Sequence, residues 1–192
     1  MSNSNLYFTA DTHFFHENII KYTKRPFFSV EEMNLTLKNG ISLTNQDTLI
    51  HLGDFIHKKL TFVELEYFNF IKKHKKNILI IGNHDKSITN LKLLFDELYK
   101  NHYINYKGIK IELIHHPDLQ NGDADLTLCG HVHNNWLYKL PGESYEFLRK
   151  GRGFDKERYV FKVPTINLGV ELWNYKAIPI EKIISLYYKI RE

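Results

Sequence analysis

At 192 residues, with 43% hydrophobic and 25% charged residues, the chain has the balance of a soluble globular domain and excludes a disordered or membrane-spanning one. Its formal charge of +4 is spread along the chain and not gathered in a tail, a weak pull toward an anionic partner. A single cysteine, Cys129 in the apolar run LTLCG, rules out a disulfide framework and a multi-cysteine metal site; it reads as a buried core thiol in a reducing, cytoplasmic setting. The opening MSNSNLYFTADTH lacks the pattern of a signal peptide, and no apolar run approaches the ~20 residues of a transmembrane helix.

In chain order, NLYFTA (5–10) predicts a first strand ending at DTH. A helix is expected from about His16. Another follows Pro26 in SVEEMNLTLKN, where Ser29 and Glu32 have capping-box spacing. DTLIHLGD predicts a second strand with Gly53 and Asp54 at its exit. TFVELEYFNFIKKHKK predicts a helix with Thr61 and Glu64 as a second capping box and a basic last turn suited to the helix dipole. The strand NILII then opens onto Gly82, Asn83, His84 and Asp85. In ITNLKLLFDELYK, Leu91, Leu94, Phe95 and Leu98 recur at helical spacing. Beyond this come the strands GIKIELIHHP, DLTLCGHVH and TINLGVEL, with a long surface loop or hairpin at about 140–164. Alternating strands and helices followed by strand-rich sequence predict α/β layers with a mixed sheet or pair of sheets, in a single domain over 1–192.

Polar residues recur at the strand exits: Asp11 and His13, Asp54, Asn83 with His84 and Asp85, His115 and His116, then His131 and His133. Exits of parallel strands gather along one edge of an open sheet, so these groups are expected to converge. Carboxylates, imidazoles and an amide oxygen without thiolates suit Mn, Fe, Co, Ni or Zn. Counting one of the paired histidines, Asp11, His13, Asp54, Asn83, His131 and His133 bring the set to seven. That is too many for one tetrahedral ion and enough for two ions sharing a carboxylate. Strand parity sends His115 and His116 to opposite faces, so one of them serves. His16 reads as a substrate contact or as a solvated helix start, and Arg25 as a phosphate contact or a solvated arginine before proline. His51 reads as a packed strand residue, and His57, His74 and His102 as surface residues. The cluster Arg149, Lys150, Arg152, Lys156 and Arg158 reads as a solvated loop, with a grip on a polyanion as the alternative.

Taken together and in this order, DTH, LGD, GNHD, IHHP and CGHVH resemble the full ordered signature of the calcineurin-like metallophosphoesterases. The opening DTHFFHENIIKYTKRPFFSVEEMN and the tail INLGVELWNYKAIPIEKI look like a compact bacterial and phage branch of that family. The resemblance implies a four-layer α-β-β-α sandwich with two facing mixed β-sheets. It implies two divalent metal ions per chain, Mn first, with Asp11, His13 and His133 on one, Asn83, His131 and His115 on the other, and Asp54 bridging. It further implies a phosphate-ester substrate, nucleotide or nucleic-acid derived among the options; no obligate protein partner is evident in the sequence. Hydrolysis would proceed by attack of a hydroxide shared by the two ions, with His84 as general acid, Asp85 orienting its ring and His16 touching the substrate. A phosphodiesterase is the leading expectation; a phosphomonoesterase and a non-catalytic metal-binding scaffold for a protein partner are the alternatives.

Overall fold

The computed structural model describes residues 5–86, 88–151 and 153–192, and the side chains outside 147–156. Five strands, β1 (Asn5–Thr9), β2 (Asp47–His51), β3 (Lys76–Ile80), β4 (Glu97–Tyr99) and the late β12 (Ile178–Pro179), form a first sheet. Its order is β12-β1-β2-β3-β4, with β1 to β4 parallel and β12 antiparallel to β1. A second sheet comprises β5 (Asn101–Tyr106), β6 (Ile109–Ile114), β7 (Leu126–Cys129), β8 (Tyr138–Lys139) and β11 (Thr165–Asn167). It runs β5-β6-β7-β11-β8 with β6, β7 and β11 parallel. Both sheets are mixed, as the family resemblance implies.

The two sheets share one core. Phe8, Ile50, Leu52, Ile78 and Ile80 from the first pack with Ile111, Leu113, Leu126, Leu128 and Ile166 from the second. Near-continuous apolar runs such as NILII and LTLC are what strands buried on both faces require. The C-terminal helix α5 (Ile180–Lys189) adds Ile180, Ile183, Ile184 and Tyr187 to the same cluster. A separate cluster, including Met33, Leu37, Phe55, Phe68 and Ile71, seats α1 (Glu17–Tyr22), α2 (Val30–Ile41) and α3 (Phe62–Tyr67) on the outer face of the first sheet. The second sheet carries a buried polar network on its other side, where Gln120 Nε2 donates to Thr127 (2.9 Å) and Thr165 (2.7 Å) and Thr127 donates to Glu112 (3.1 Å). Among the described residues no helix is long and apolar enough to cross a membrane.

Local signals mostly hold. Ser29 caps α2, accepting from Glu32 N at 3.1 Å, while the Glu32 carboxylate reaches one residue further back than a capping box requires, to Phe28 N (2.8 Å). Thr61 and Glu64 form the expected box at α3. That helix relaxes into a 3₁₀ segment, Phe68–Lys73, before β3.

Two expectations are corrected. ITNLKLLFDELYK does not form one helix: α4 spans only Ile88–Leu91, and Leu98 lies in β4. Leu91, Leu94 and Phe95 are all buried, so a tight turn followed by a strand satisfies the same apolar spacing as a helix would. His74 is not a surface residue. It is buried, with Nδ1 donating to Asn77 Oδ1 (2.7 Å) and Nε2 accepting from Leu43 N (3.1 Å).

The stretch at 140–164 contains the antiparallel hairpin β9 (Ser144–Gly151) and β10 (Gly153–Val160). In its basic cluster, Arg152 and the side chains of Arg149, Lys150 and Lys156 lie outside the described residues, whereas Arg158 is exposed.

Candidate metal centre

Every sequence-predicted ligand leaves the C-terminal end of a parallel strand. Asp11 and His13 follow β1, Asp54 follows β2, Asn83 follows β3, His115 follows β6, and His131 and His133 follow β7. An isolated parallel bridge between Ala10 and Gly169, beyond β1 and β11, joins the exit edges of the two sheets and brings these five exits together. Backbone pairs fix the loops: Asp11 N donates to Gly53 O, His13 N to Asp54 O (both 3.0 Å) and Gly130 N to His115 O (3.1 Å). Two glycines make the approach possible. Gly53, at φ +91°, has no room for a Cβ against the His115 ring, and a Cβ on Gly82 would strike the Asp54 amide and carboxylate. Asp11, His13, Asp54, His131 and His133 all have left-handed backbone angles, with φ between 49° and 72°.

Asp54 sits at the middle. Its Oδ2 lies 3.4 Å from both His13 Nε2 and His115 Nε2, while Oδ1 accepts from His84 N at 2.8 Å. Asn83 Oδ1 is 3.1 Å from His115 Nε2 and 3.1 Å from His131 Nδ1. Ligand atoms of Asp11, His13 and His133 fall within 4.8 Å of one another, as do those of Asp11, Asp54 and His115. Two ligands at right angles around an ion bonded at ~2.1 Å stand about 3 Å apart, close to the 3.1–3.4 Å separations here.

Protonation states fit a cation. Burial pushes Asp11 up to about 6 although His133 and His115 oppose it. Burial holds His13 well below the usual histidine range and takes His131 down to about 3. At Asp54, burial is overcome by the His115 hydrogen bond and charge, and the carboxyl is driven far down; His115, equally buried, is raised to about 9 by that carboxylate. The Asp54 charge that raises His115 is the charge a bound cation would balance in its place. Both ring nitrogens of His13 are buried without a hydrogen-bond partner among the described residues. Unpaired lone pairs, oxygen and nitrogen donors, and these spacings fit divalent transition-metal ions.

The ligand tautomers are set from outside the centre. His115 Nδ1 donates to Leu52 O (2.7 Å), leaving Nε2 free to face Asp54. His133 Nδ1 donates to Glu171 Oε1 (3.0 Å), and the same oxygen accepts from Arg25 Nε (3.0 Å) and Nη2 (2.7 Å). Arg25 also donates to Asp11 O (2.7 Å) and Thr12 O (2.9 Å). Its reading as a solvated arginine or a phosphate contact is corrected: it is 4% exposed and braces the Asp11 loop. Glu171 escaped the sequence reading, since a glutamate in GVELW has no local mark of a role; the buried ion pair it makes spans 146 positions.

Asp85 also departs from expectation. Its Oδ2 accepts from Asp54 N and Gly82 N (both 2.8 Å) and its Oδ1 from Phe55 N (2.9 Å). Both oxygens are engaged by backbone, so Asp85 ties two strand exits together and does not orient His84. The strand-parity reading of His116 fails because β6 ends at Ile114. Beyond the strand the His116 ring turns onto His131, with centroids 3.6 Å apart, and His115, His116 and His131 bring ligand atoms within 4.8 Å of one another.

His84, His16 and His57 form a neighbouring imidazole group. His16 and His57 stack at 3.7 Å, and His84 lies 4.9 Å from His57 and 5.2 Å from His13. Burial lowers His84 despite the Asp54 carboxylate, and burial with the His57 and His84 rings takes His16 down to about 4. His57 is exposed as expected, yet it shares with His13, His16, His84 and His133 a cavity of about 520 Å³ that also reaches Tyr22 and Asn134. A second cavity, of about 340 Å³, opens against Asn83, His115 and His116.

A family model for the calcineurin-like phosphoesterases matches residues 4–185. The uncharacterized protein MJ1445 of Methanocaldococcus jannaschii is 36% identical over 198 residues, covering 98% of this chain and 94% of its own length. The crystal structure of AQ665, a protein of unknown function from Aquifex aeolicus, superposes with a TM-score of 0.70 at 32% identity, covering 96% of this chain and 100% of that one.

Proposed function

Because the chain belongs to the calcineurin-like phosphoesterase family and is thereby a phosphoric ester hydrolase, we propose that it is a dinuclear metal-dependent phosphodiesterase. The observation that carries the choice of diester is the pair of cavities flanking the centre, one against His13, His84 and His133 and one against Asn83 and His115. A diester has two alcohol arms to place, and a monoester has one. The larger cavity has neither lysine nor arginine among its described lining residues, which suits an uncharged arm better than a second anionic group.

In this reading Asp11, His13 and His133 hold one ion, Asn83, His115 and His131 the other, and Asp54 both, with manganese the metal of first choice. When bound, the two ions supply Lewis-acid polarisation of the phosphoryl oxygens and an activated water. The residues do the rest. His84 faces the larger cavity and delivers a proton to the leaving oxygen, a role worth about 100- to 10,000-fold. An anionic phosphoryl group beside it offsets the burial that lowers its proton affinity. His16 and His57 line the same cavity and contact the leaving alcohol. The buried free thiol of Cys129 accords with a reducing, cytoplasmic setting.

The test is reconstitution with Mn²⁺, metal counting, and comparison of bis(4-nitrophenyl) phosphate with 4-nitrophenyl phosphate. Two ions per chain and a higher kcat/KM for the diester are expected. A monoester preference would make the protein a phosphatase. Two bound ions with no hydrolysis of either ester would leave a scaffold for a partner protein.

A further inference from the structure

The two cavities differ in chemistry. The larger is lined by carboxamides and rings, Asn18, Asn134, Asn135 and Tyr22 among them. The smaller is walled by Ile81, Ile114 and Leu119, with the His116 ring to one side and Lys100 and Asn101 at its edge. Leu119 is 64% exposed. A single exposed leucine needs no account. Here, however, it closes a cavity whose other apolar walls come from two strand exits and which opens directly onto Asn83 and His115.

The walls are held in place. Ile81 N donates to Tyr99 O (2.7 Å), Ile114 is 2% exposed, and Leu119 ends a 3₁₀ turn begun by Pro117. His116, at the base of that turn, rests on the His131 ring at 3.6 Å. The cavity and the candidate metal ligands therefore share one framework.

We infer that the smaller cavity is a subsite for an apolar retained arm of the diester, so that the substrate class is an alkyl-bearing phosphodiester with a polar, uncharged leaving alcohol. This rests on the diesterase reading. Since His84 faces the larger cavity, the alcohol that receives its proton lies there, and the arm that stays on phosphorus lies against Asn83 and His115. Hydrolysis breaks the bond from phosphorus to the leaving oxygen and forms one from phosphorus to the water oxygen. One water proton ends on the leaving alcohol by way of His84. The products are a polar alcohol and the phosphate monoester of the apolar alcohol.

The experiment uses Mn²⁺-reconstituted full-length protein and alkyl 4-nitrophenyl phosphates with methyl, butyl and hexyl arms, in which nitrophenolate always leaves. KM should fall by about two- to fourfold per methylene as the arm fills the cavity. Leu119→Asp, a change at an exposed position, should flatten that dependence, and Leu119→Met should keep it. A KM independent of chain length in the wild-type protein overturns the inference while leaving the diesterase reading intact. So does a dependence that survives Leu119→Asp. If protein holding two ions cleaves none of these diesters, the diesterase reading itself is lost, and the subsite with it.

Discussion

Asp85→Asn separates a residue that builds the loops from one that serves His84. Asparagine keeps the shape of the side chain but offers one acceptor oxygen where the carboxylate has two. If the amide oxygen takes the place of Oδ2, it keeps the bonds from Asp54 N and Gly82 N, and its NH₂ group meets the Phe55 amide donor to donor. Hydrogen bonds to a charged acceptor contribute about 1.5–3 kcal/mol each, and the two that survive are weakened by loss of the charge. Against this, burial raises the Asp85 pKa, so removing the charge relieves part of a desolvation cost. The balance is a loss of about 3 kcal/mol, or about 6–12 °C in Tm for a chain of this size. Thermal unfolding of the metal-stripped protein measures it, and a leaving-group series on the reloaded protein completes the assay. The variant should be less stable yet show wild-type sensitivity to the leaving group. Unchanged stability combined with altered leaving-group sensitivity would refute the reasoning, because it would place Asp85 on His84.

Four other outcomes are expected. His84→Ala should keep both ions and lose far more turnover with alkoxide leaving groups than with nitrophenolate; a uniform loss would assign His84 to electrostatic stabilisation instead. Glu171→Gln should weaken the ion held by Asp11, His13 and His133 by about 10- to 100-fold, the usual effect of losing a ligand's orienting partner, and spare the other ion; calorimetric titration with equal losses at both sites would contradict it. His115→Ala should abolish binding at the Asn83 site, whereas His116→Ala should only loosen it through His131, and the reverse order would exchange their roles. Metal-free protein should lose stability between pH 6.5 and 9. His115 holds its proton up to about 9 when folded but only to about 6.5 when unfolded, so its contribution is full below pH 6.5 and lost as pH rises through 9, by about 3 kcal/mol. His133, buried but raised by Glu171 and Asp11, adds a loss of the same sign above pH 6.5, whereas His13, His16, His51, His84 and His131 are shifted down and vary below that window. Denaturant titrations that are flat across it would remove both His115 and His133 as proton holders, and His133→Gln should leave most of the dependence in place if His115 carries it.

Strand exits were the legible part of the sequence, because a run such as NILII followed by GNHD changes polarity within one residue and can belong only to a strand and its mouth. Contacts made far along the chain left no such mark. Arg25 before a proline looks like any solvated arginine until Glu171 is brought beside it. His74 looks like part of a basic surface run until Asn77 and the Leu43 amide enclose it. Parity arguments failed where they were carried past the end of a strand, as at His116. Periodicity failed at Leu91 to Leu98, where a turn buries Leu91, Leu94 and Phe95 and a short strand half-buries Leu98. The role expected of Asp85 came from its neighbour in sequence, and only the fold reveals that three backbone amides claim it first.

Five non-glycine residues sit at left-handed angles around one point: Asp11, His13, Asp54, His131 and His133. Each costs about 1 kcal/mol relative to a relaxed backbone, about 5 kcal/mol together, which rivals the entire stability of many domains. Glycine would relieve the backbone strain at each position, at the cost of the bonds that Asp54 accepts from His84 N (2.8 Å) and Asp11 from His131 N (2.9 Å). Two aspartates and three histidines at such angles aim five donor side chains at one point, which relaxed strand backbone would send to alternate faces.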